Sequence, residues 1–191
     1  MGKLIAAINM TLDGYCDHTA MIADEEIHQH YTALLYDAGA MLYGRTTYQL
    51  MESYWPTVVQ KPTGNKPIDE FAVAIEDTPK IVFSHTLRKV EWKNSRLATE
   101  NLGNEAIALK QQSEKDIFIG SPSLISLLTE LQLLDEFQLC IHPVIAGGGL
   151  PLFNNISERN VLKLLKTKTI GSGAIIHYYE PASETRDNPS P

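Results

Sequence analysis

Apolar residues enter this chain first as a continuous run, Leu4 to Ile8, the pattern of a strand covered on both faces near the middle of a sheet. A loop from Asn9 to Ala23 follows, with Asp13-Gly14 as its turn signal. From Asp24, placed as an N-cap before Glu25 and Glu26, the positions Ile27, Tyr31, Leu34, Leu35 and Ala38 recur at helical spacing until Gly39 stops them. Ala40 to Tyr43 is a second apolar run. It ends at Gly44-Arg45, where Thr46 and Thr47 open a helical segment. Trp55-Pro56 and the stretch Lys61 to Pro67 predict a surface loop before a further helix, Ile68 to Ile75. Strands are expected over Lys80 to Phe83, near Arg96 to Thr99 and over Asp116 to Ile119, with a helix around Asn104 to Gln111 between the last two. Gly120-Ser121-Pro122-Ser123 then supplies a glycine, a serine N-cap and a proline at the first helical position. Leu124, Ile125, Leu127, Leu128 and Leu131 follow on one face. Glu136 to Ile141 alternates like a strand and runs into Pro143 and the triplet Gly147-Gly148-Gly149. Val161 to Ile170, Gly171-Ser172-Gly173 and Ala174 to Tyr179 read as an antiparallel hairpin.

Strands alternating with helices predict an α/β fold: a mainly parallel central sheet flanked by helices, closed by a C-terminal antiparallel hairpin. We expect one domain over residues 1–181 and a disordered polar tail over 182–191. In such a sheet ligands bind at the carboxyl ends of the strands, and the marked loops after Ile8, Tyr43, Phe83, Ile119 and Ile141 all fall there. The strand-to-helix turn at Gly44 to Thr47 suits an anion, because first-turn N–H groups lack partners and Arg45 adds a fork of donors. A basic, hydroxyl-rich loop, Ser84-His85-Thr86 with Arg88 and Lys89, follows a strand in the same way. Three successive glycines are costly to order, and suit a loop whose backbone passes close to a bound molecule.

Composition narrows the classes. The chain has 191 residues, 43% hydrophobic and 20% charged, enough for a sizeable core. Sixteen basic against 23 acidic residues give a net charge of −7, which argues against nucleic acid and anionic membranes as partners, so any anion site is local. Cys16 and Cys140 have neither metal-type spacing nor the density of a disulfide framework. No apolar run reaches membrane-spanning length, so cytoplasmic is the expected location.

The motifs Met10-Thr11-Leu12-Asp13-Gly14, Leu42 to Tyr48, Ile119-Gly120-Ser121, Leu134-Asp135-Glu136, Pro143-Val144 and Gly147 to Phe153 stand in an order that resembles the dihydrofolate reductase-like superfamily. Within it the pattern most resembles the C-terminal reductase domain of bacterial riboflavin biosynthesis proteins, over roughly residues 2–180. The resemblance implies an NADPH-dependent reductase of a pterin-like or pyrimidinone substrate, a small molecule, in a protein that is often a homodimer. Carried over by position, Gly44, Arg45, Thr46 and Thr47 match contacts to the diphosphate and ribose phosphate. Ser84, His85 and Thr86 match the loop around the 2′-phosphate. Gly120, Ser121, Ser123 and Leu124 match the second dinucleotide loop, and Asp13 and Gly14 fall in the loop over the nicotinamide. Two departures argue against folate reduction: Gly120-Ser121 stands where paired glycines are usual, and the first helix has acids only in its first turn. Two further readings are 5-amino-6-(5-phosphoribosylamino)uracil reductase, for which no second phosphate loop is evident, and a nucleotide-binding protein without turnover.

Hydride reduction of C=N or C=O also needs a proton. Glu26, beside Ile27 on the first helical turn, is the candidate acid, with Asp13 as a loop contact and an ordered water as the other donor. His28 belongs to a residue type that exchanges protons near neutral pH.

Overall fold

A computed structural model describes residues 1–182. Eight strands form one sheet: β1 (Leu4–Thr11), β2 (Ala38–Gly44), β3 (Lys80–Phe83), β4 (Ser95–Leu97), β5 (Asp116–Ile119), β6 (Glu136–His142), β7 (Leu162–Thr169) and β8 (Ile175–Pro181). Their order is β4-β3-β2-β5-β1-β6-β8-β7. The first six in that order pair in parallel, and β8 pairs antiparallel with both β6 and β7. The fold is therefore α/β, a mostly parallel sheet with a C-terminal antiparallel hairpin.

Alternation along the central strands divides the core between the two faces of the sheet. Leu4, Ala6, Ile8 and Met10 of β1 pack on the side covered by α4 (Leu102–Gln112) and α5 (Pro122–Glu130). Ile5 and Ala7 face the opposite side, with Met41, Tyr43, Val82 and Phe118. That side is covered by α1 (Glu25–Asp37), α2 (Arg45–Gln60) and α3 (Lys66–Asp77). Ile27 of α1 also packs on β8 through Ile176 and Tyr178. Among the described residues no helix is long and apolar enough to cross a membrane.

Several boundaries differ from the sequence reading, each for a physical reason. Strand β1 continues through Asn9, Met10 and Thr11 because β6 pairs with it as far as Thr11↔His142. Gly39 does not end a helix. It lies inside β2, which follows α1 with no intervening loop, and a Cβ there would sit 2.6 Å from Ser113 Oγ. Pro56 does not break α2, which runs on to Gln60; Trp55 packs edge-on against Phe71 at 4.5 Å, and Val58 is buried one turn later. The amphipathic face of α5 is narrower than read, since Leu127 and Leu131 are about half exposed. Strand β6 is covered on both faces despite its alternating chemistry, because Phe137 and Leu139 pack in the cluster under α5 while Cys140 packs with Ile27 of α1; the exposed strand is the edge strand β7. Apart from Ala182, the polar tail read over 182–191 lies outside the described residues.

Candidate active site

The carboxyl ends of β2, β3 and β5 bring three loops together. Helices α1, α3 and α4 are capped by the side chains of Asp24, Asn65 and Asn101. Helices α2 and α5 have no side-chain cap. Ser121 stands at the N-cap position of α5, yet its Oγ turns away from its own helix and accepts the Gly44 N–H at 2.9 Å, in a buried contact. The cap expected of Ser121 is thus replaced by a bond to the other helix start. Likewise Gly44, not a threonine, occupies the N-cap of α2. A Cβ at Gly44 would come within 3.3 Å of Ser123 Oγ and 3.9 Å of Leu124 Cγ, so the two uncapped termini lie side by side.

The third loop joins through side chains. Arg45 Nη1 donates to Thr86 Oγ1 at 2.9 Å, while Ser84 Oγ accepts from the Thr86 and Leu87 N–H groups. Thr46 and His85 are exposed beside these contacts, and Thr47 is half-buried. Lys89 is engaged by Glu91 in an exposed ion pair. First-turn N–H groups of two helices, both dipoles, a guanidinium and several hydroxyls thus lie on neighbouring loops, the physical requirements of an anion cradle.

Beside it, between the sheet and helices α1 to α3, lies a cavity of about 360 Å³. Its floor is Ala7, Met41, Tyr43 and Phe118; α1 contributes Ile27, His28, Tyr31 and Leu34; α2 contributes Thr47, Leu50, Met51 and Trp55; and Phe71 and Ile75 come from α3. Thr47, Gly120 and Pro122 line this cavity as well as belonging to the loops of the cradle, so the two spaces adjoin. Gly120 stands over the Tyr43 ring, where a Cβ would make an ordinary contact at 3.4 Å.

Two polar side chains in the cavity have their roles set by their neighbours. His28 Nδ1 lies 2.8 Å from the Asp24 carbonyl, which can only accept, so Nδ1 carries the proton. Buried His142 receives the Ile22 N–H on Nδ1, which leaves its Nε2–H to donate to Asn9 Oδ1 at 3.0 Å. Burial holds the pKa of His142 below its ordinary value, in keeping with this neutral tautomer. With Oδ1 used, the Asn9 amide keeps its NH2 donors. Burial also pushes the Cys16 thiol up to about 12, so Cys16 lines the cavity as a neutral group.

The acids fall elsewhere. Asp13 accepts from Thr11 Oγ1 at 2.6 Å and from the N–H groups of Ala146 and Gly147 at 3.1 and 2.8 Å. The Thr11 hydroxyl first, with these amides, holds its carboxyl down to about 2. Asp13 therefore clasps the glycine loop, where Gly147 and Gly149 take positive φ, to the loop after β1. Gly14, itself at φ 90, receives the Leu152 N–H on its carbonyl. Glu26 accepts the Gly171 N–H at 2.8 Å, on the turn between β7 and β8, and is not among the cavity-lining residues. Its carboxylate braces the hairpin and stands apart from the other predicted site residues. Sequence reasoning missed Asn9, Trp55 and Phe71 as lining groups, because each reads locally as loop or core.

Comparison with known proteins agrees with this fold. The sequence model described as the RibD C-terminal domain matches residues 2–176. Over 177 residues the chain is 32% identical to uncharacterized protein YyaP of Bacillus subtilis (strain 168), covering 91% of this chain and 92% of that protein. Uncharacterized protein YwjB of the same organism is 34% identical over 71 residues, 37% of this chain and 41% of the relative. Among solved structures, a putative riboflavin biosynthesis protein from Shewanella sp. PV-4 superposes with a TM-score of 0.74 at 19% identity, over 95% of this chain and 99% of the other. A pyrimidine reductase-like protein from Corynebacterium diphtheriae gives 0.66 at 17% identity, covering 96% and 93%. RibD of Acinetobacter baumannii gives 0.62 at 14% identity, and there the match takes in 96% of this chain but 59% of the longer protein.

Proposed function

The chain belongs to the RibD C-terminal domain family, a family of reductase type, and from that premise we propose that it is an NADPH-dependent reductase acting on a flat heteroaromatic substrate of pterin-like or pyrimidinone character. The observation that carries the reading is the pair of uncapped helix termini at Gly44 and Ser121, set beside an apolar cavity in a fold whose other helices are capped. When bound, the nicotinamide cofactor supplies the hydride, and the protein supplies position and electrostatics. Thr46, Thr47, Ser123 and Leu124 offer backbone N–H groups to a diphosphate, with Gly44 and Gly120 in the turns that lead into the two helices. Ser121 holds the two helix starts in register. Arg45, Ser84, His85 and Thr86 are the residues we assign to the extra phosphate that distinguishes NADPH from NADH. Asp13 and Gly14 act indirectly in this reading, keeping the loop after β1 against the glycine loop at the mouth of the site. A homodimer is part of the proposal, as is a single reductase domain over residues 1–181.

The cofactor preference is directly measurable. A charge-assisted contact to the additional phosphate contributes on the order of 1.5–3 kcal/mol, roughly tenfold to a hundredfold in affinity. Calorimetric titration is expected to give tighter binding of NADPH than of NADH, a difference that Arg45→Ala largely removes. Equal dissociation constants for the two cofactors in the unmodified protein would sink the assignment.

A further inference from the structure

The cavity beside the cradle carries a more specific conclusion, one that rests on the reductase reading above. Among the described residues no Asp, Glu, Lys or Arg side chain lines it. Its walls are mostly aromatic and apolar: Trp55 and Phe71 meet edge-on at 4.5 Å, and Met41, Met51 and Leu35 line it between the sheet and α1 to α3, with Asn9, His18, His28 and Thr47 among its polar side chains. A phosphate or carboxylate brought into such a lining loses its hydration and finds no Lys or Arg among the described residues to replace it. A protonated ring fares no better, because no carboxylate is there to hold the proton.

The polar groups present point to a particular kind of guest. Asn9, its Oδ1 occupied by His142, retains an amide N–H donor. His28, its Nδ1–H given to the Asp24 carbonyl, leaves Nε2 for a ligand and is held edge-on to Trp55 and Phe71 at 6.2 and 5.9 Å. These groups, with His18 and Thr47 in the same lining, offer hydrogen bonds without a fixed charge among largely apolar walls, which suits a planar, uncharged molecule bearing a carbonyl group.

We infer that the reducible substrate of this protein is an uncharged, phosphate-free planar carbonyl compound, taken up between the sheet and helices α1 to α3, and not a ribose-phosphate-bearing pyrimidine. Its reduction adds a hydride from the reduced nicotinamide, which leaves oxidised, and a proton drawn from solvent to the carbonyl oxygen. Both electrons and the proton are thereby accounted for.

Equilibrium dialysis of the full chain, with the oxidised cofactor NADP+ at saturation so that no turnover occurs, would compare menadione as an uncharged planar carbonyl probe with uridine monophosphate as a phosphorylated pyrimidine. Menadione is expected to bind roughly tenfold tighter or more. It should also quench tryptophan emission in the unmodified protein and much less in Trp55→Phe, which keeps an aromatic ring in the wall. Equal or tighter retention of uridine monophosphate, or no retention of menadione, would overturn the inference. A parallel dialysis of NADPH alone keeps the two readings apart: if the cofactor is not retained, the reductase reading fails, whereas the ranking of the two probes without cofactor still reports on the cavity.

Discussion

Single residues in this protein are often fixed by partners far away in sequence, and His30 is a case with a measurable consequence. It is buried on α1, edge-on to Tyr31 at 5.2 Å and to Tyr178 of β8 at 6.5 Å. Burial, and then the positive charges of Lys168 and Lys166 on β7, push its pKa down to about 4. The unfolded chain, with an ordinary histidine near 6.5, therefore binds the proton more readily than the folded one between those two values. The stabilising contribution of neutral His30 is complete above pH 6.5 and is lost as pH falls toward 4. Its size is at most about 3 kcal/mol, reduced by residual contact with water. Urea unfolding at pH 7 and again below pH 5 should show a smaller loss for His30→Gln than for the unmodified protein. An identical loss in both would remove His30 from the account. His142, also shifted down by burial, adds to the slope in both proteins and leaves the comparison intact. None of this was legible in the sequence, where His30 is one polar position on a helix and the lysines lie more than a hundred residues away. The same holds for Glu26, read as the candidate acid, and for Asp13, read as a loop contact at the site. Their turn and loop partners, Gly171 and Gly147, become neighbours only once the hairpin and the glycine loop fold back.

Elements were more legible than residues, because their signals are local. The runs Lys80 to Phe83 and Asp116 to Ile119 end where their chemistry changes, and both are strands with those bounds. The turn signals at Gly44 and at Gly120 to Pro122 mark real strand-to-helix junctions. Their side-by-side arrangement is not local, since it depends on β2 pairing with β5, so the cap expected at Ser121 gave way to a bond across the sheet. Pro56 and Gly39 misled for the converse reason: tertiary packing overrides a local breaker when neighbouring residues are well buried. The bond between the helix starts gives the second prediction. Ser121→Ala leaves the Gly44 N–H buried with no acceptor, which costs roughly 1–3 kcal/mol. Ser123→Ala removes an exposed hydroxyl and should stay within about 0.5 kcal/mol. Chemical denaturation of the two variants, without cofactor, separates them, and equal stabilities would mean that the contact contributes nothing net.

At the scale of the whole molecule, the order of strands and helices could be read almost complete, since alternating apolar runs and amphipathic segments are what a covered parallel sheet requires. The cavity could not, because its walls come from α1, α2, α3 and the sheet, and each wall residue looks like core in its own element. Where surface is left uncovered was also misplaced. The alternation of Glu136 to Ile141 reads as a strand with one open face, yet β6 is buried along almost its whole length. The open surface belongs instead to the hairpin. Strand β7 is exposed along nearly its whole length at the edge of the sheet, and Val161, Leu164, Leu165 and Ile175 are each more than a third accessible. An eight-residue edge strand carrying leucines is a liability unless charge or a partner protects it. Lys163, Lys166 and Lys168 supply part of that protection, but Lys163 is paired with Glu180 and Lys166 lies over the Tyr178 ring. We therefore place the proposed dimer contact on this hairpin, where burying the leucines of two copies would cover the apolar part of the edge. Sedimentation at micromolar concentration should show a species of twice the 21.3 kDa chain mass. Leu164→Lys combined with Leu165→Glu should shift it to the single-chain mass with little change in the far-ultraviolet spectrum. A single-chain species for the unmodified protein would refute the homodimer, and a dimer that survives the double substitution would refute the hairpin as its contact.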